Sequence, residues 1–101
     1  MPESAVFEFV CAEVERRTSL GRLEARGTVR LALKEAGLAP NTVSVREMQV
    51  VLDRVLPAAL ASRGIEGGGG VCNEIRAGAA RLKDAGAAAE TPEAIFGRLG
   101  G

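Results

Sequence analysis

Arg22, Arg26, Arg30 and Lys34 recur at every fourth residue, an interval that would line them along one side of a helix. Such a stripe can grip phosphates or an acidic partner, because guanidinium groups pair bidentately with both anions. Acid–base chemistry has much less to work with. The chain contains no histidine, tyrosine or tryptophan. That removes the commonest general base, the Ser-His-Asp and Cys-His arrangements, and histidine metal sites. Carboxylate pairs remain, but Glu8 with Glu15 and Glu24 with Glu35 fall on patterns that read as solvated helix faces. The residues therefore predict a protein that is not an enzyme and that uses no cofactor and no metal.

Glycines Gly67 to Gly70 invite a phosphate-loop reading, since free amides at a helix start attract anions. No strand pattern precedes them and no Lys-Ser/Thr follows, so the Walker and dinucleotide patterns both fail and a flexible connector is expected. The segment from Gly37 to Leu52 has a helix–loop–helix outline whose Ser-x-x-Glu resembles the helix start of EF-hands. Its loop offers no Asp, whereas calcium needs several oxygen ligands at fixed positions. Thr18-Ser19-Leu20 ahead of a helix resembles the Asp-Ser-Leu of acyl carrier proteins, in which the serine carries phosphopantetheine. The resemblance spans three residues, with Thr18 in place of Asp. It implies an acyl-carrier-like protein modified at Ser19.

A chain of 101 residues with 47% apolar content is long enough for one core, although much of that content is alanine. Its 13 basic and 13 acidic residues cancel, so there is no global attraction to nucleic acid or to an anionic membrane. The charges are unevenly placed, however. Glu3, Glu8, Glu13 and Glu15 precede the first base, and Arg16, Arg17 and the stripe then follow with Glu24 as their single interspersed acid. An acidic first helix lying beside a basic second one would satisfy both. Cys11 and Cys72 belong to no metal-type spacing and read as reduced, buried thiols. With no signal-like or membrane-spanning segment, the expected setting is the cytoplasm, and the Ala, Gly and Arg richness suggests a high-GC bacterium.

Strand periodicity is missing, so the elements that place these residues are helices. Val6, Phe7, Val10, Cys11 and Val14 share one face of a first helix over residues 3–17, with Phe9 off that face. Thr18-Ser19 is a candidate cap for the second helix, which spans about residues 20–37 and ends at Gly37, Leu38 and Pro40. Ser44 to Glu47 form a capping box, and Val43 and Met48 are spaced for a hydrophobic staple. A third helix should kink or restart at Pro57 and stop at Gly64, and a fourth should run over residues 71–85. Thr91-Pro92-Glu93 would start a short terminal helix bearing Ile95, Phe96 and Leu99.

The fold expected is all-α, a compact four- to five-helix bundle. Residues 1–85 would form its core domain, and 86–101 an Ala/Gly-rich segment ending in the short helix. The second helix stands out because it is two-faced. Leu20, Leu23, Gly27 and Leu31 share one apolar side, while Ala25, Val29, Ala32, Leu33 and Ala36 lie roughly half a turn away. Two apolar faces need two partners, which makes the helix either central or a donor of one face to another molecule. The function expected is a non-catalytic helical protein–protein interaction or regulatory module that associates with itself as a homodimer. Its partner residues would be Val29 and Leu33 together with Arg22, Arg26, Arg30 and Lys34. The alternative is a small nucleic-acid-binding protein that uses the basic stripe, although a mostly apolar third helix with Glu47 and Asp53 makes a poor recognition helix.

Overall fold

The computed structural model describes residues 3–82, which form five α-helices and no strand among the described residues. The protein is all-α. The terminal helix expected around Ile95, Phe96 and Leu99, and the segment 86–101 that carries it, lie outside the described residues.

Helix α1 (Ala5–Arg17) starts at Ser4, whose hydroxyl accepts the Phe7 N–H, and buries the expected Val6, Phe7, Val10, Cys11 and Val14. It ends at Thr18, whose hydroxyl donates to the Val14 carbonyl and accepts the Leu20 N–H. Thr18 therefore closes the first helix and does not open the second. That role belongs to Gly21, whose N–H donates to the Glu24 carboxylate at 3.2 Å.

Helix α2 (Arg22–Glu35) terminates as its sequence predicts. Gly37 adopts φ +77°, and the Leu38 N–H reaches back to the Leu33 carbonyl at 2.8 Å. The following loop is tied to the start of α1 by a Ser4 N–H bond to the Pro40 carbonyl.

Helix α3 (Val45–Arg54) opens with both halves of the capping box. Ser44 Oγ accepts the Glu47 N–H at 3.0 Å, and Glu47 accepts the Ser44 N–H at 2.9 Å. Val43 and Met48 are buried on either side of it. The restart expected at Pro57 occurs one residue earlier. Val55 separates α3 from α4 (Leu56–Ser62), and Pro57 lies in the first turn of α4, where its missing N–H costs no helical bond.

The glycine run is not a flexible connector. Gly67, at φ +72°, caps α5 (Gly68–Ala79), and Gly68, Gly69 and Gly70 form the first turn of that helix. Gly68 is tightly packed: a Cβ there would stand 3.1 Å from Leu60 Cβ and 3.5 Å from the Pro57 carbonyl oxygen, so α4 would have to give by a few tenths of an ångström. Further along α5, a Cβ on Gly78 would stand 2.9 Å from the tip of the Phe9 ring of α1, which rests against the bare backbone.

One core joins the helices. Helix α1 packs on α2 and α5, α5 also packs on α3 and α4, and α2 touches α1 and α4. The second helix is thus not central. It lies at the edge of the bundle, with one side inward.

Candidate interaction surface

Arg26 carries the junction between α1 and α2. Its guanidinium donates to both carboxylate oxygens of Glu8, at 2.9 and 3.2 Å, and stands 3.4 Å from Glu3. Arg30 donates to the other Glu3 oxygen at 2.7 Å. Both guanidinium groups lie over the Phe7 ring, 5.3 and 5.6 Å from its centroid, so cation–π attraction adds to the ion pairs. The Arg26 hydrogen bond holds the Glu8 carboxyl below its ordinary value of 4.5, and Glu8 in turn raises the Arg26 guanidinium. At the other end of α1, Arg17 bridges Glu13 and Glu74 of α5, and the Arg16 and Arg17 hydrogen bonds lower Glu13.

The basic stripe is thereby divided. Arg26 and Arg30 bind the acidic residues of α1, as the charge asymmetry of the sequence suggested, whereas Arg22 and Lys34 are exposed and make no ion pair among the described residues. A stripe of four free cations for a phosphate backbone is therefore not what the fold presents.

The apolar faces of α2 are assigned the opposite way from the sequence expectation. Val29 and Leu33, expected to meet a partner, are both 0% exposed and sit in the core with Ala25, Thr28 and Ala32. The uncovered face is the other one. Leu23 is 84% exposed and Leu31 49%, with Gly27 between them. A Cβ on Gly27 would meet nothing within 4 Å. Leu20, before the helix starts, turns inward and is buried.

The sequence held a signal that separates the two faces. Residues 25, 28, 29, 32, 33 and 36 complete the i, i+3, i+4, i+7, i+8 pattern of a core-facing stripe, whereas Leu23, Gly27 and Leu31 repeat every fourth residue alone. Thr28 obscured this pattern. It is buried because its hydroxyl donates to the Glu24 carbonyl at 2.6 Å and so needs no outside partner.

Other candidate features offer less. An open groove of about 390 Å³ lies between α3 and α5, with Asp53, Asn73 and Arg76 around the bare first turn of α5. Asp53 places a carboxylate beside those amides and opposes an anion there. Val50 of α3 is a further exposed apolar side chain, 53% accessible. Cys11 and Cys72 are buried free thiols, pushed by burial up to about 12 and about 11. Ser19 is exposed in the α1–α2 connection, two residues ahead of the Gly21 cap and outside the helix. Among the described residues no cluster of carboxylates and thiols has the make-up of a metal site. No described helix is long and apolar enough to cross a membrane. The chain matches no protein-family profile, no curated protein and no solved structure.

Proposed function

We propose that this protein is a non-catalytic helical interaction or regulatory module that works through the outer face of α2. The observation that carries the reading is Leu23, which holds a large apolar side chain 84% exposed on an otherwise well-packed helix. A lone exposed leucine is ordinary, but Leu23 and Leu31 flank an open Gly27 in one row, so a partner could approach the helix backbone closely between them. The rest of the surface supports the same reading. The cysteines are buried with raised thiol values, and the α1–α2 charges are consumed in holding two helices together.

The test is affinity capture from the source organism's lysate, with the full chain as bait and Leu23→Glu and Val50→Glu as controls. The expected result is a partner retained by the wild type and by Val50→Glu and lost with Leu23→Glu. Capture that is insensitive to Leu23→Glu moves the surface away from α2 and overturns the proposal.

A further inference from the structure

We infer that the occupant of the α2 outer face is a second copy of this chain, the two α2 helices packing in parallel about a two-fold axis and crossing at Gly27; this rests on the reading of that face as the interaction surface.

Leu23 and Leu31 each lie four residues from Gly27, about 40° to either side of it on the helix surface. A row along i±4 positions is the ridge that interlocks with its own copy at an inclined crossing. A glycine at the crossing point lets the backbones approach, and Gly27 has open space where a Cβ would be. The face is therefore self-complementary in shape, the condition for an isologous interface.

Charge then selects the orientation. Arg30 lies about 60° to one side of Gly27 and Glu24 about 60° to the other, three residues on either side in sequence. In a parallel two-fold pair, the Arg30 edge of one copy runs along the Glu24 edge of its partner, so each interface edge joins opposite signs. In an antiparallel pair, Arg30 would meet Arg30 and Glu24 would meet Glu24. Both residues keep capacity for the contact. Glu3 accepts from a single nitrogen of Arg30, and Glu24 uses one oxygen on the Gly21 N–H and makes no ion pair among the described residues. The apolar row is short, so the dimer is a weak, concentration-dependent one.

Sedimentation equilibrium of the full chain tests the inference, run up to about 1 mM because a micromolar-to-millimolar constant is expected for so small a face. Gly27→Leu and the single variants Leu23→Cys and Leu31→Cys complete the set, the last two treated with a short bismaleimide, alone and mixed. The wild type is expected to dimerise with rising concentration, and Gly27→Leu to weaken the dimer by about tenfold or more by blocking the crossing. Leu23→Cys and Leu31→Cys should each cross-link to themselves. Cross-links confined to the mixture would show antiparallel packing, and tighter association of Gly27→Leu would show that the helices do not cross there; either overturns the inference. A chain that stays monomeric to the highest concentration also overturns it. If that monomer still captures a partner through Leu23, the interaction module stands and the second copy alone is excluded.

Discussion

Arg26 touches Glu8, Glu3 and the Phe7 ring at once, and it is the side chain through which the acidic and basic halves of the sequence meet. Its pair with Glu8 is open to solvent on the carboxylate side, so a double-mutant cycle on Arg26→Ala and Glu8→Ala should return a coupling of about 0.5–1 kcal/mol. The pH dependence follows from the direction of the carboxylate shifts. Glu8 and Glu13 are both held below 4.5 in the folded chain, so the stability they contribute is present above that value and lost as pH falls through their folded values. Chemical denaturation between pH 6 and 3 should show this loss, and Glu8→Gln should reduce it. The thiols titrate in the opposite range. Buried Cys11 and Cys72 should not react with a disulfide reagent at pH 8 in the native chain, and both should react on unfolding.

At the scale of elements, the helix ends were the most legible part of the sequence. Each is a local code: Ser44 with Glu47, and Gly37 with Leu38, fix the backbone through neighbours a few residues away. Ser44→Ala should therefore destabilise the fold by about 1 kcal/mol in thermal or urea unfolding. The glycine run was misread for the converse reason. A run of four glycines has low helix propensity, and the close approach of α4 at Leu60 to the Gly68 backbone is something no local pattern reveals. Two glycines one residue apart should then respond with opposite signs. Gly69→Ala, into open space, should stabilise by about 0.5–1 kcal/mol, whereas Gly68→Val, against Leu60 and the Pro57 carbonyl, should destabilise by about 1–3 kcal/mol. The two faces of α2 were visible in the sequence, and the fuller stripe through residues 25, 28, 29, 32 and 33 marked the core side, but a polar Thr28 in the middle of that stripe hid it.

For the whole molecule, the arrangement leaves α2 at the edge of a five-helix core with Val29 and Leu33 inward and Leu23 and Leu31 outward. The division of labour is physical. The inner row is closed by α1 and α4, the arginine seam is closed by Glu3 and Glu8, and the outer row stays exposed. Leu23→Glu should accordingly leave the unfolding free energy of the isolated chain within about 0.5 kcal/mol of wild type, because the side chain it replaces makes little contact with the core. The most direct test of the central claim, that the outer face of α2 is the interaction surface and takes a second copy, is a dilution series of amide spectra on the full chain. Resonance shifts that track concentration and cluster at Leu23, Glu24, Gly27, Arg30 and Leu31 are the predicted result. Shifts that cluster instead at Asp53, Asn73 and Arg76 in the α3–α5 groove, or spectra unchanged over the whole range, would contradict it.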